Sequence, residues 1–240
     1  MFQNYLKIAL RTLWRDKAYS VINIAGLSLG ITCAILIFIL VQHQLSYDTY
    51  HKKAERTYRV VMDLHFGSLI QTPGVPYPFP PALRQDFTEA EKIAAYWEVP
   101  NVLVSFTGKN GKKEKFQEES VVSFAEPEFF EIFDYQWLKG DHKVLSNPDK
   151  VVVTRQIAEK YFGKEDPIGK TIRLDNEKDY VIAGLLADIP ENTSHRSEIF
   201  LPYVAGVAQM SKEDQGHWGG VSSNHRTYVV LPEKMSQSQL

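Results

Sequence analysis

From Val21 to Val41 the chain runs VINIAGLSLGITCAILIFILV, 21 residues without a charge. As a helix rising about 1.5 Å per residue, this run reaches about 31 Å, the thickness of a bilayer's hydrocarbon core. Only Asn23, Ser28 and Thr32 are distinctly polar, and hydroxyls can bond back to their own helix. A soluble core helix of this length would show a charged stripe. A cleaved signal has an apolar region of about 7–15 residues followed by a small-residue cleavage site. This run is longer and leaves through Gln42-His43-Gln44-Leu45-Ser46-Tyr47, with no A-x-A pattern. It reads as an uncleaved transmembrane helix over residues 21–42, with Asn23 and Cys33 as packing residues.

The flanks orient the span. Lys7, Arg11, Arg15 and Lys17 precede it against one acid, Asp16, a formal +3; the whole chain is −2, so the rest sums to −5. Basic residues close to a span stay on the cytoplasmic side. Lys52, Lys53 and Arg56 follow it, a weaker cluster. The expected arrangement is a cytoplasmic N-terminus in the inner (plasma) membrane. Residues 43–240 then lie outside the cytoplasm, in the periplasm of a bacterium.

The segment before the span, residues 1–20, carries two stripes. Phe2, Leu6, Ala9, Leu10, Leu13 and Trp14 recur at helical steps, and Lys7, Arg11 and Arg15 follow at i, i+4. That pattern is an amphipathic elbow helix lying along the inner leaflet, with Lys7, Arg11, Trp14 and Arg15 at the lipid head groups. Within the span, Gly26, Gly30 and Ala34 place small residues four apart, a face that admits a second helix closely.

Beyond the membrane, residues 43–56 read as a stalk and residues 57–240 as one folded region. A strand is expected over 57–66, followed by a loop with five prolines in Pro73–Pro81 and a short helix over 82–87 with Pro80 or Pro81 at its first turn. Two β-rich runs, 93–106 and 115–124, flank a turn at Gly108–Lys113 and read as a hairpin. A helix starts at Pro127. A strand at 151–154 leads into a helix at 155–162, capped by Thr154 and closed by Gly163. Strands follow at 171–174 and 180–187 around the turn 175–179, then at 198–203 and 227–231. The fold class is α+β, many short strands with few helices.

Composition narrows the function. With 44% apolar and 23% charged residues the chain is neither disordered nor collagen-like nor a multi-span protein. A net charge of −2 offers no overall basic face, so nucleic acid is not an expected partner. One cysteine excludes an intrachain disulfide and a multi-cysteine zinc site. The phosphate-loop, dinucleotide, zinc-protease and nucleophile-elbow motifs are all missing. His217 and His225, eight apart in HWGGVSSNH, are a weak metal reading without matching carboxylates. Asp188 and Glu191 in DIPENTSH read as loop-capping acids rather than a catalytic pair. Asn192-Thr193-Ser194 is a formal glycosylation triplet, and Trp218 belongs to a glycine-rich surface loop. No catalytic, cofactor or metal residue is expected, and the chain is not read as an enzyme.

Several phrases, in order, resemble permease subunits of the MacB/FtsX type of ABC transporter. They are LKIALRTLWRDKAYSVINIAGLSLGI, QHQLSYDTYHKKAERTYRV, EPEFFEIFDYQWLKGD, KVVVTRQIAEKYFGKEDPIGKTIRL and VIAGLLADIPENTSHRSEIFLPY, covering most of residues 1–205. The variants LSYDTYH and DIPENTSH look most like those of Bacteroidetes-type bacteria. The resemblance implies a cytoplasmic elbow, a first span, and a periplasmic core domain over 57–240 with a porter-like α/β part and a small β-rich part. It also implies three further spans, which this sequence lacks, so the chain reads as an N-terminal piece with the core domain incomplete. Ser236 or Ser238 would cap the next helix. The implied partners are an ABC ATPase that binds the ATP, a second permease copy as homodimer, the lipid bilayer, and a periplasmic adaptor or substrate. The chain itself carries no cofactor. The alternative reading is a single-span, membrane-anchored periplasmic binding or adaptor module without transport activity.

Overall fold

The computed structural model describes residues 2–108, 111–119 and 121–235. Lys109, Asn110, Ser236 and Ser238, assigned above to a turn and a cap, lie outside the described residues. The chain separates into two compact units, Met1–Thr49 and Tyr50–Leu240.

The first unit is two helices, α1 (Phe2–Arg15) and α2 (Lys17–Leu45). The break falls at Asp16, whose φ of −109° and ψ of 57° leave the helical region. The carbonyl of Asp16 already accepts the Ser20 N–H at 3.0 Å, so α2 nucleates directly on the break. Thus Lys17–Ser20, assigned above to the elbow segment, belong to the same helix as the span. The hydroxyl of Thr32 donates to the Ser28 carbonyl at 2.8 Å, which satisfies it within the helix. The helix has a mean hydropathy of 2.7 over its most apolar window, and none of that window is buried. α2 ends where the Ser46 hydroxyl bonds the His43 carbonyl at 2.7 Å and Asp48 turns to φ 56°.

The second unit is strand-rich. A 3₁₀ turn (Ala54–Arg56) enters β1 (Thr57–Arg59). The strand expected over 57–66 divides at Val60-Val61. Its second half, β2 (Met62–Phe66), folds back at Gly67 (φ 75°) onto β3 (Ser68–Thr72) as a separate two-stranded ribbon. The proline loop then leads to α3 (Phe79–Asp86), whose first turn holds Pro80 and Pro81 as expected, although the helix begins at Phe79 rather than at Ala82.

Each of the two long β-runs is two strands. β4 (Lys92–Val99) and β5 (Val102–Thr107) are separated at Pro100-Asn101, where Asn101 has φ 57°. β6 (Lys113–Glu118) and β7 (Val122–Ala125) are separated by residues 119–121. Only β5 and β6 form the expected hairpin; β4 pairs instead with β7.

The rest follows as α4 (Pro127–Ile132), β8 (Trp137–Lys139), a 3₁₀ turn (His142–Ser146), β9 (Lys150–Thr154), α5 (Arg155–Phe162), β10 (Thr171–Leu174), β11 (Lys178–Leu186), β12 (Ile199–Pro202), α6 (Tyr203–Ala208), α7 (Lys212–Gly216) and β13 (His225–Val230). Helix α5 carries its expected caps: the Thr154 hydroxyl accepts the Ile157 N–H, and Gly163 takes φ 64°.

The main sheet runs β1-β13-β4-β7-β12-β9-β11-β10-β5-β6, with β8 attached to β11. β9 lies parallel to β11 and β12 parallel to β7, each with a helix in its connection; the other pairs are antiparallel. Both faces of the middle strands are covered, so β7, β9 and β12 are almost wholly buried rather than alternating. One face packs Ile157, Tyr161 and Phe162 of α5 on Val151, Val153 and Ile182. The other packs Phe129, Phe130 and Ile132 of α4 on Tyr96, Val152 and Phe200. The charged edge strand β6, KEKFQE, guards its end of the sheet against further pairing.

Candidate functional site

Where the outer unit begins, the chain is fastened at several points. The Lys52 N–H donates to an Asp134 carboxylate oxygen at 2.6 Å, and the Asp134 N–H returns a bond to His51 Nδ1 at 3.2 Å. The His51 ring is buried against Phe133, centroids 5.1 Å apart. Lys53 Nζ lies 2.8 Å from Glu91, and Arg56 pairs with the other oxygen of the same carboxylate. Arg56 also reaches the Leu231 carbonyl at 2.8 Å. The two cations hold the Glu91 carboxyl down at about 2, the Arg56 hydrogen bond contributing most. Immediately afterwards β1 joins the sheet beside β13. Residues 51–59 are therefore tied to the core by ion pairs, a buried ring and a strand ladder.

A cavity in this unit has a volume of about 520 Å³. Its apolar walls include Tyr77 and Pro81, Leu145, and Tyr203 and Val207 of α6. Its charged wall is an ion pair: Arg84 of α3 meets Glu126, which also accepts the Ala95 N–H at 2.7 Å. Only 15% of the Glu126 side chain is exposed. Burial outweighs the attraction of Arg84 and pushes its carboxyl up. Volume and lining are those of a small-ligand pocket.

The pocket's proline wall is held by one histidine. His225 is fully buried at the start of β13. Its Nδ1 lies 2.9 Å from the Val75 carbonyl and its Nε2 lies 2.6 Å from the Tyr203 hydroxyl. A ring that donates to Val75 from Nδ1 accepts the Tyr203 O–H at Nε2, which fixes the neutral tautomer. Burial lowers its pKa, against the Val75 bond. Tyr77 covers the ring at 4.5 Å. Beside it, a Cβ on Gly74 would stand 2.0 Å from the Ser222 carbonyl oxygen, so only glycine lets the two loops touch.

On α1, Lys7, Arg11, Trp14 and Arg15 are all exposed; Arg15 lies 3.8 Å from Asp16. On α2, Gly26, Gly30 and Ala34 are exposed, and a Cβ added at Gly26 or Gly30 would meet nothing within 4 Å. Spacing alone puts the three on one face. Asp188 takes the Arg155 guanidinium at 2.5 Å and the Gln156 N–H at 2.9 Å, so it steadies the start of α5, as a capping acid would. His217 is exposed while His225 is spent on Val75 and Tyr203. Among the described residues no group of three or more His, Cys, Asp or Glu could hold a metal ion. The root and the pocket were not read from sequence, because Glu91, Arg84 and Tyr203 meet their partners only through the sheet's long-range pairings.

An apolar membrane-length helix followed by a mixed sheet with helices on both faces defines a membrane-anchored α+β protein. The sequence profile of the MacB-like periplasmic core domain matches residues 20–240, and the chain belongs to that family. One candidate membrane-spanning helix stands near its N-terminus, ahead of the strand-rich unit of this periplasmic core domain. The fold is shared with a crystal structure of a domain of a permease protein from Porphyromonas gingivalis. That match has a TM-score of 0.62 and 19% identity, covering 79% of this chain and 81% of that one. The periplasmic region of MacB from Actinobacillus actinomycetemcomitans is also similar, with a TM-score of 0.55 and 14% identity over 77% of this chain and 78% of that one. Among curated proteins no sequence matches significantly.

Proposed function

We propose that the chain acts as a permease subunit of an ABC transporter of the MacB/FtsX type. A partner ATPase hydrolyses ATP in the cytoplasm, and the chain converts that work into movement of its periplasmic domain, for export or extraction of a substrate. The N-terminus lies in the cytoplasm and residues 43–240 outside it. The observation that carries this reading is the extent of the family match, which takes in the membrane helix and the outer domain together.

The root of the outer domain supplies the physical step. Motion of the membrane helix reaches the sheet through residues 51–59, whose ties to Asp134, Glu91 and β13 make the entry stiff. Gly26, Gly30 and Ala34 serve as the packing face for another membrane helix, from a second copy in a homodimer. Lys7, Arg11, Trp14 and Arg15 hold the elbow at the inner leaflet.

The test is purification of the tagged chain from its native membranes at endogenous level. An ABC ATPase recovered at fixed stoichiometry is the expected result. Recovery without any ATPase, in a detergent that keeps membrane complexes intact, would leave the single-span adaptor as the better account. Replacing Gly26 and Gly30 with Leu is expected to disrupt assembly; unchanged assembly would reduce α2 to a simple anchor.

A further inference from the structure

The junction of α1 and α2 forms a crevice of about 360 Å³ lined by Leu13, Trp14, Lys17, Ser20, Val21 and Ile24. Four features give it a chemistry. The Lys17 ammonium stands 5.5 Å from the centre of the Trp14 ring, which places a cation and an indole together at the mouth. Ser20 is the one buried residue of α2, at 9% exposure, and lies among the groups that line the crevice. Val21 and Ile24, 64% and 56% exposed, continue the crevice one turn into the apolar span. Asp16 is the only acid among residues 1–47, against four lysines and arginines, and it lies 3.8 Å from Arg15. The junction therefore keeps a positive balance. A polar, cationic mouth that passes within one turn into an apolar rail matches an amphiphile with an anionic head and a hydrocarbon tail.

We propose that this crevice is a discrete binding site for one anionic phospholipid of the leaflet in which the elbow lies. The phosphate sits at Lys17 and the Trp14 edge, and one acyl chain runs along Leu13, Val21 and Ile24. This goes beyond the diffuse attraction of a basic helix to a charged surface: it assigns one lipid to one place. It rests on the reading that α1 lies at the cytoplasmic membrane surface. A lipid wedged there would set the angle between the elbow and the span.

The test is native mass spectrometry of the full chain in detergent, titrated with phosphatidylglycerol or phosphatidylcholine, alongside flotation with vesicles of the same lipids. The first phosphatidylglycerol is expected to bind about fivefold more tightly than phosphatidylcholine, the effect of about one well-placed cation. Lys17→Gln and Ser20→Leu should each remove that preference, the second by filling the crevice without touching charge. Lys7→Gln removes an equal charge ten residues earlier and should weaken flotation with the anionic vesicles, while the preference of the first bound lipid in detergent stays within about twofold. Equal losses from Lys17→Gln and Lys7→Gln, with Ser20→Leu harmless, would mean diffuse attraction and overturn the site. No preference in the unaltered chain would overturn it as well, and would fit a crevice that receives another helix. A chain that fails to float with either vesicle would overturn the membrane reading itself, a failure distinct from loss of lipid choice.

Discussion

The two units use the same apolar side chains in opposite ways. On α2, Ile35, Leu36, Ile37 and Phe38 are 52–63% exposed. In the outer unit, Val151, Val152, Val153, Ile199 and Phe200 are all 0% exposed. The outer unit has an interior made by its own sheet and helices. The first unit has none, so its apolar surface makes sense only if lipid or other membrane helices cover it. Hydrophobic residues thus specify a packed core in one place and a solvent in the other, and substitutions should separate the two roles.

The largest separation is expected from Phe129→Ala. Phe129 is fully buried, stacks on Tyr96 at 4.7 Å and touches His195 and Phe133. Its truncation should cost about 3–5 kcal/mol in chemical unfolding of the outer unit. Ile35→Ala should leave that transition within about 0.5 kcal/mol. Next, Leu36→Arg should reduce membrane insertion by about 2.5–3.5 kcal/mol while the unfolding of the outer unit stays unchanged. Membrane fractionation and denaturation of one sample would read both effects.

Gly74→Ala is smaller. Its Cβ would collide with the Ser222 backbone, and the loops must part, costing about 1–3 kcal/mol. The same region should respond to acid. Burial lowers the pKa of His225, so the unfolded chain takes up this proton first as the pH falls below about 6.5. Stability should therefore drop from that point towards the lower folded pKa, and His225→Gln should flatten this part of the curve.

The smallest effect belongs to Glu91→Gln, about 0.5–1 kcal/mol, since a third of that side chain meets water. Its carboxyl is held at about 2, below an unfolded value of about 4.3. Its contribution is complete above that unfolded value and fades as pH falls towards 2; the glutamine variant should lose this acid dependence.

Features coded by neighbouring residues were legible in the sequence. The long apolar helix α2 showed in its missing charges, α5 in the pair Thr154 and Gly163, and the β10–β11 hairpin in the polar stretch 175–179. Pairings over long separations were not. The runs 93–106 and 115–124 look continuous because apolar residues persist through Asn101 and Val121. Yet a left-handed residue at 101 sends β4 to β7 and β5 to β6. The ribbon at 62–72 was half seen, since Gly67 reverses a stretch that alternates on both sides. The pocket was out of reach for the same reason. Arg84 and Glu126 are 42 residues apart, and Tyr203 and His225 are ordinary residues until the fold joins them.

The central claim is that α2 crosses the membrane and leaves the outer unit on the side opposite the N-terminus. Cys33 is the only cysteine, so Cys33→Ser gives a clean background. In it, Asn4→Cys and Lys164→Cys place single thiols at exposed positions of each unit. A membrane-impermeant maleimide applied to intact spheroplasts should label the thiol at position 164 at once and the thiol at position 4 only after lysis. Labelling of both before lysis, or of position 4 first, would contradict the account.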